Sequence, residues 1–332
     1  MNPTDKFKTP LDLRESVSAF QRSRIILSAY ELELFTVIGK ERKSPEQVAT
    51  EAKTDKHATE RLMNALCAIG LLEKNDGLYN NSEFGLNYLV KDRPGFIAGL
   101  MHSSNLWRSW SNLTEIVRTG RENAQTIRTK SNDGDWSESF IAAMHDRAYR
   151  QAPAIVAQID LTGTHKVLDI GGGSGAYSMA FVRAGKEINA TVFDLPNIVT
   201  ITEKYIRAEG LQNKIDTLAG DYLVDSFRAG YDLAFLSAII HINSFDENLR
   251  LVKKCAAALN RGGIIAIQDH VMGQDRTNPA PGAIFAINML VGTPKGDTYT
   301  ENEIRWWMAE AGFDDVQRKE TFQNALIIGR KK

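Results

Sequence analysis

The first third of the chain places its apolar residues at helical spacing. Across residues 16–39 they recur every three to four positions, which predicts one amphipathic helix. A capping serine, a proline at the first helical position and a glutamine at the third follow at 44–47, so a second, short helix is predicted to begin there. A third helix is predicted over 55–69, and an Asn-Asp-Gly turn at 75–77 predicts a hairpin.

Three helices followed by a small hairpin are typical of a winged-helix domain, which we predict for residues 1–95. Winged helices often bind DNA, and this requires a basic face for the phosphates. Residues 1–95 contain 14 Lys and Arg against 14 Asp and Glu, and the third helix carries Asp55 and Glu60 where a recognition helix would need cations. We therefore expect a dimerisation or substrate-covering module, with no nucleic-acid partner.

A middle segment, residues 96–160, is rich in aromatic residues and methionine. It contains a helix predicted from about Ser137 to Gln158, kinked or broken at Pro153. From residue 161 onward short apolar runs alternate with helical segments, which is typical of parallel βαβ units with helices on both faces of the sheet. The predicted strands cover residues 166–170, 190–194, 215–219, 233–236, 263–268 and 325–329.

Length and composition limit the remaining possibilities. A chain of 332 residues can form about two domains. The net charge of −1 shows no excess of positive charge with which to bind nucleic acid or anionic lipid. Cys67 and Cys255 lie far apart in apolar segments, so neither a disulfide framework nor a metal site is predicted. Without an apolar leader or a run of about 20 apolar residues, we expect a cytoplasmic protein with no membrane partner.

A glycine-rich turn, Gly-Gly-Gly-Ser-Gly at 171–175, follows the first predicted strand and leads into a helix. Such glycines let the backbone pass close under a ligand that the N-terminal amides of the helix face. The spacing of Gly171, Gly173 and Ala176 also satisfies the relaxed dinucleotide pattern. The turn alone therefore does not separate a NAD enzyme from other nucleoside binders.

Acidic residues at successive strand ends indicate which kind of nucleoside cofactor the turn binds. Asp194, followed by Leu195, ends the second strand, where a carboxylate can accept hydrogen bonds from both ribose hydroxyls. Asp221 and Tyr222 follow the third strand and could bracket an adenine, and Asp169 precedes the glycines, where a carboxylate suits an ammonium group. An amino-acid nucleoside fits these positions better than a pyrophosphate, so the predicted cofactor is S-adenosylmethionine.

In this order the motifs resemble the two-domain small-molecule O-methyltransferases, such as the plant caffeate and flavonoid enzymes and bacterial polyketide-tailoring, hydroxyneurosporene and bacteriochlorophyll methyltransferases. The resemblance covers nearly the whole chain. It implies a Rossmann-like α/β methyltransferase domain over 96–332, with its core at 161–332, and an N-terminal dimerisation domain that forms a homodimer. It rests on the glycine turn and on Ser23-Arg24-Ile25, residues 65–72, Phe193-Asp194-Leu195-Pro196, Gly220-Asp221 and the segment after Leu236.

The resemblance also implies a general base. The catalytic histidine of the family falls on His241, and an imidazole pKa of about 6.5 suits it to take the proton of an acceptor hydroxyl. Two acidic residues orient this histidine in the family. The first falls on Asp269, whereas the second falls near Thr298, so the pair is incomplete unless Asp297 or Glu301 substitutes.

Two further departures from the plant pattern bear on the activity. Asn243 replaces a Trp, and Ser237 replaces a Lys that contacts the cofactor, so we place Ser237 beside the cofactor. Alternatives therefore stay open: an acceptor with a carbon, nitrogen or sulfur nucleophile, which needs less help from a base, or a degenerate enzyme without turnover. An NAD(P) oxidoreductase and a winged-helix regulator that senses S-adenosylmethionine are rivals from other classes.

The small-molecule acceptor is expected to bind in an apolar cavity of aromatic and methionine side chains, from segments that line the acceptor site in the family. His145 stands out as a titratable residue on an otherwise apolar helical face. His57 and His165 receive no role, and strand alternation predicts that His270 points to the face opposite Asp269. The candidates are His102, Trp107, Trp110, Phe140, Met144, His145, Phe285 and Met289.

Overall fold

The computed structural model describes residues 7–120, 134–321 and 325–332. The chain divides into two compact units, one ending at Trp107 and the other beginning at Arg108. The domain boundary placed after residue 95 stays a prediction. No helix within the described ranges combines the length and the apolar character that a membrane crossing requires.

The first unit contains a hairpin among short helices. Its core is apolar and includes Phe35, Leu66 and Tyr79, all fully buried. Its elements are α1 (Pro10–Ser18), α2 (Phe20–Glu31), α3 (Leu34–Ile38), α4 (Pro45–Ala52), α5 (Lys56–Ala68), β1 (Leu72–Asn75), β2 (Leu78–Asn81), α6 (Glu83–Tyr88) and α7 (Leu100–Trp110), the last of which runs across the boundary between the units.

Local signals in this unit are confirmed. The Ser44 hydroxyl accepts the Gln47 amide at the start of α4, and the Gln47 side chain accepts the Ser44 amide in return. The two hairpin strands pair antiparallel, with Asn75 opposite Leu78. This is the two-residue connection that the Asn-Asp-Gly sequence predicts.

The single helix predicted over 16–39 is wrong. The chain forms α1, α2 and α3 instead, with a break at Ala19 and a left-handed Glu33 (φ 55°) between the last two. Directly after Glu33, the side chains of Leu34, Phe35 and Ile38 are buried in the core. Apolar spacing continues across both breaks, so the period does not reveal them.

The second unit contains a seven-stranded sheet whose strands lie in the order β10-β11-β7-β6-β3-β4-β5. Two buried apolar clusters are built on its strands, and β8 pairs with β9 in a small separate sheet. Its elements are α8 (Leu113–Thr119), α9 (Gly134–Val156), β3 (Lys166–Ile170), α10 (Ala176–Ala184), β4 (Asn189–Asp194), α11 (Pro196–Ala208), β5 (Ile215–Ala219), β6 (Tyr231–Ser237), α12 (Phe245–Ala258), β7 (Leu259–Asp269), β8 (Val271–Met272), α13 (Ala280–Gly292), β9 (Tyr299–Thr300), α14 (Glu301–Glu310), β10 (Phe313–Glu320) and β11 (Ala325–Lys331).

The sheet is parallel from β5 to β7, as predicted, but β11 and β10 run antiparallel at its edge. The all-parallel arrangement is therefore wrong for 325–329, and β10 was not predicted at all. Only Phe313 of β10 is buried, and most of the strand is charged, so its sequence has no apolar run. The helix predicted to break or kink at Pro153 is not broken there, because α9 continues to Val156.

This topology brings the ends of five strands to one edge. The carboxyl ends of parallel strands β3 to β7 lie together, and β3 sits between β6 and β4, where the strand order reverses. Ligands bind at such a switch point in open α/β sheets. The glycine turn, Asp194, Asp221, Ser237 and Asp269 all lie at or directly after these strand ends.

Candidate active site

The glycine turn after β3 is tightly packed from below. Gly171, Gly173 and Gly175 have φ of 65°, 56° and 78°, a left-handed backbone that other residues rarely adopt. A side-chain Cβ placed on Gly172 would lie 2.8 Å from the Asp169 carboxyl carbon and 2.9 Å from a Val192 methyl. The backbone of the turn therefore packs directly against β3 and β4, which leaves no room for a side chain at Gly172.

The carboxylate of Asp194 accepts hydrogen bonds from two main-chain amides, one of them in the glycine turn. One carboxylate oxygen accepts the Gly173 amide and the other accepts the Leu195 amide, both at 2.8 Å. Burial raises the pKa of Asp194 to about 6, although both amide bonds favour the charged form. Each oxygen keeps a second lone pair, so a carboxylate fixed in this way can still accept ribose hydroxyls. These residues fit the nucleoside part of S-adenosylmethionine.

The carboxyl of Asp169 packs against Gly172 of the glycine turn and is closed off from solvent. It is 1% exposed and accepts the Ser178 hydroxyl at 2.8 Å. Burial raises its pKa to about 7, and the nearby Asp194 charge adds to the shift. The role given to Asp169, contact with an ammonium group, stays a prediction. A cation placed close above the turn would favour its charged form.

The remaining predicted cofactor residues form hydrogen bonds with nearby residues. Asp221 accepts the Leu223 amide at 2.8 Å, and Ser237 donates to Gln268 at 2.5 Å. The Tyr222 hydroxyl donates to Asn243 at 3.1 Å.

Asn243 in turn donates to Asn248, whose side chain donates to the carbonyl of Ile240. Both asparagines are buried, and the chain of bonds links Tyr222 with the turn that carries His241. Sequence reasoning missed this link. The only available signal was the Asn at 243 in place of an aromatic residue.

His241 lies in a 3₁₀ turn, Ile240–Ile242, directly after β6. Its Nδ1 is 2.7 and 3.0 Å from the two carboxylate oxygens of Asp269, and the two residues are 8% and 0% exposed. Burial opposes the charged form of Asp269, but the adjacent His241 and the amide of His270 outweigh it, so the pKa of Asp269 lies below its usual 3.8. The predicted pairing of His241 with Asp269 is present in the structure.

The sequence left open whether Asp297 or Glu301 supplies a second carboxylate to His241. The Asp297 carboxylate pairs with Arg276 and accepts the amide of Thr298. Glu301 pairs with Arg305 and Arg318. Among the described residues, Asp269 is thus the carboxylate bonded to His241. The segment contributes its main chain instead, because the Asp297 amide donates to the His241 carbonyl at 3.0 Å.

Strand alternation predicted that His270 points to the face opposite Asp269, but its ring and the ring of His241 contact the same phenylalanine. Its ring stacks on Phe285 at 4.2 Å, and the same Phe285 ring meets His241 edge-on at 4.8 Å. Strand β7 ends at Asp269, so the alternation of side chains along a strand no longer governs His270.

Three predicted acceptor residues lie on or against α13. Phe285 joins the two histidines, Met289 is buried, and Trp110 donates from its indole to Asn288 at 2.9 Å. These positions agree with an acceptor space beside His241, although their role in binding stays a prediction.

The other acceptor candidates have different surroundings, and their role in binding also stays a prediction. His145 contacts Ser174 of the glycine turn through Nδ1 at 2.9 Å and packs on Tyr149 and Tyr205, so it lies on the cofactor side. Phe140 packs in a small cluster with residues of α11, and Met144 is half-buried in α9. His102 and Trp107 belong to the first unit.

Comparison with known proteins identifies the class. The protein-family model for the O-methyltransferase domain matches residues 110–314, and the family model for the O-methyltransferase dimerisation domain matches residues 15–91. The chain therefore belongs to the O-methyltransferase family. The enzyme class and the cofactor predicted from the sequence, a methyltransferase that uses S-adenosylmethionine, are confirmed.

Individual relatives align with nearly the full length of this chain. The chain is 29% identical over 313 residues to 3-hydroxy-5-methyl-1-naphthoate 3-O-methyltransferase of Streptomyces sahachiroi. The aligned region covers 93% of this chain and 90% of that protein. It is 26% identical to the tetracenomycin polyketide synthesis 8-O-methyltransferase of Streptomyces glaucescens, with 100% and 99% covered. It shares the fold of human N-acetylserotonin methyltransferase solved with S-adenosylmethionine, at a TM-score of 0.81 and 23% identity over 100% and 99% of the two chains.

Proposed function

We propose that this enzyme methylates a hydroxyl of a small aromatic acceptor, with His241 as the general base and Asp269 as the residue that orients it. S-adenosylmethionine supplies an electrophilic methyl group on a sulfonium. The protein must bind the acceptor in line with that methyl and remove the hydroxyl proton. The names of the relatives, which describe enzymes for naphthoate and polyketide hydroxyls, support an aromatic acceptor.

The observation that carries this proposal is the pairing of His241 with Asp269. An ionised carboxylate only accepts hydrogen bonds, so Nδ1 of His241 bears the proton that lies between them. Nε2 then carries a lone pair on the opposite side of the ring. It can take the proton of the acceptor oxygen as the methyl carbon bonds to that oxygen and its bond to the sulfonium sulfur breaks, and Asp269 would stabilise the resulting imidazolium.

Cofactor binding and turnover test this proposal separately. Calorimetric titration with S-adenosylmethionine and S-adenosylhomocysteine should show saturable binding, whereas NADH should not bind. A panel of naphthols and other phenols should then be methylated by the wild type, and His241→Gln should lower kcat by a factor of about 10²–10⁴ while cofactor affinity stays the same. Full turnover in His241→Gln would exclude this base.

We also propose that the first unit forms a homodimer. Helix α1 has no buried residue, and Phe7, Leu11, Val17 and Phe20 are each more than half exposed. A second copy would bury this apolar surface, in agreement with the match to a dimerisation domain. Sedimentation should give twice the chain mass, and Leu11→Glu combined with Val17→Glu should shift it towards the monomer.

A further inference from the structure

A buried imidazole beside the predicted base has an unused hydrogen-bonding atom. His270 is 8% exposed, and its Nδ1 is buried with no hydrogen-bond partner among the described residues. The hydrogen bond that the structure gives this residue comes from its main-chain amide, which donates to Asp269 at 2.7 Å. Buried polar atoms in native proteins are nearly always paired, so an unpaired one needs an explanation.

The position of His270 suggests that explanation. Phe285 lies against both histidines, stacked on His270 with an interplanar angle of 29° and edge-on to His241 at 86°. Asp269 accepts a hydrogen bond from each of them, through Nδ1 of His241 and the amide of His270. A molecule that places its reacting hydroxyl at His241 would therefore extend towards His270.

The charge state of His270 limits what it can bind. Burial lowers its pKa to about 4, with the His241 and Arg147 charges acting in the same direction against the opposing effect of Asp269. The ring is therefore neutral at pH 7 and can present an N–H from one of its nitrogens. With the proton on Nδ1, the buried atom without a partner is a hydrogen-bond donor, and an oxygen of the acceptor is the partner that it requires.

We propose that His270 binds a carbonyl or carboxylate oxygen of the acceptor, on a substituent next to the hydroxyl that is methylated. This inference rests on the proposed function for the identity of the acceptor site. His270 would then select among phenolic acceptors, while His241 performs the same proton transfer on each of them. Binding supplies the missing partner of the buried ring after a small rotation of the imidazole.

A matched pair of probes tests this selection. 3-Hydroxy-2-naphthoate and 2-naphthol differ only by a carboxylate next to the hydroxyl. Their affinities are measured by calorimetry on the wild-type enzyme saturated with S-adenosylhomocysteine, so no turnover is needed. We expect the carboxylate to strengthen binding about tenfold or more, as a hydrogen bond to a charged group does.

Variants at the same position give the decisive comparison. His270→Phe should remove the preference and leave 2-naphthol binding within about threefold, whereas His270→Gln, which keeps an N–H donor, should retain part of it. His165→Phe, at an exposed histidine of the same unit, is the control and should change neither affinity. Thermal unfolding shows whether each variant is folded, and His270→Leu replaces His270→Phe if the larger ring does not fit.

Two results would overturn the inference: a wild-type enzyme with no preference between the probes, or a preference that survives in His270→Phe or His270→Leu. Failure of the proposed function looks different. In that case the wild type binds the probes with the expected preference but transfers a methyl group to neither of them.

Discussion

The two sides of the candidate site differ in how far the protein satisfies its own polar groups. On the glycine-turn side, Asp194 receives two main-chain amides and Asp169 receives a serine hydroxyl before any ligand arrives. On the imidazole side, which consists of His241, Asp269, His270 and Phe285, one histidine is fixed by a carboxylate and the other keeps a buried nitrogen without a partner among the described residues.

This difference corresponds to the ligand each side would meet. A cofactor that never changes is best bound by groups that are already in place, because little conformational freedom is then lost on binding. An acceptor differs from one family member to another, and its site can leave a polar atom for the acceptor to pair. We expect substitutions on the two sides to separate cofactor affinity from turnover.

The largest effect is expected at Asp269. Asp269→Asn keeps the shape of the side chain but removes the charge that sets the tautomer of His241 and stabilises the imidazolium, so kcat should fall by about 10³-fold or more. Affinity for S-adenosylmethionine, measured by calorimetry, should not change. Asp297→Asn is the matched control, since that carboxylate faces Arg276, and it should retain kcat within about threefold. Equal losses in both variants would show that a second carboxylate serves His241 after all.

On the other side, Asp194→Ala should act on cofactor affinity. The change removes a partly buried carboxylate from two amides and from the predicted ribose contacts, which corresponds to a loss of roughly 100-fold in affinity. Calorimetry with S-adenosylhomocysteine measures this loss. Asp216→Ala, at an exposed position in β5, should bind as the wild type does. Unchanged affinity in Asp194→Ala would remove Asp194 from the cofactor site.

The close packing under the glycine turn predicts a smaller effect, on stability. Gly172→Ala forces a Cβ to within 2.8 Å of Asp169 and 2.9 Å of Val192, so the free energy of unfolding should fall by about 1–3 kcal/mol. Gly292→Ala is the control, because a Cβ at the end of α13 meets no atom within 4 Å. Denaturant unfolding of both variants measures the difference, and equal stability would mean that the turn has room to move.

Local and periodic signals predicted most of the fold. The glycine turn, the α4 cap and β3 to β7 were found because each depends on neighbouring residues alone. The break at Glu33 and strand β10 were missed, since a left-handed residue leaves no trace in apolar spacing and an edge strand with one buried residue has no apolar run. Tertiary packing decides both.

The candidate site was predicted unevenly for a similar reason. Sequence order was enough to find Asp169, Asp194 and Asp221 at the strand ends, because parallel strands bring their carboxyl ends together. The roles of His241 and Asp269 came from the family resemblance instead. The place of His270 depends on where β7 ends and on how α13 lays Phe285 against it. No pattern within one strand contains that information.

The smallest expected effect is on the pH dependence of stability and on the protons released when the cofactor binds. With a pKa raised to about 7, Asp169 stabilises the folded state most below pH 4, where it is protonated both folded and unfolded, and loses that contribution as pH rises through 7. Asp169→Asn should therefore flatten the pH dependence of Tm between pH 4 and 7. If the ammonium group of S-adenosylmethionine lies near Asp169, binding at pH 6.5 should also release part of one proton, because the cation favours the carboxylate. Calorimetry in two buffers with different ionisation enthalpies measures that release. A release of the same size in Asp169→Asn would assign the proton to another group.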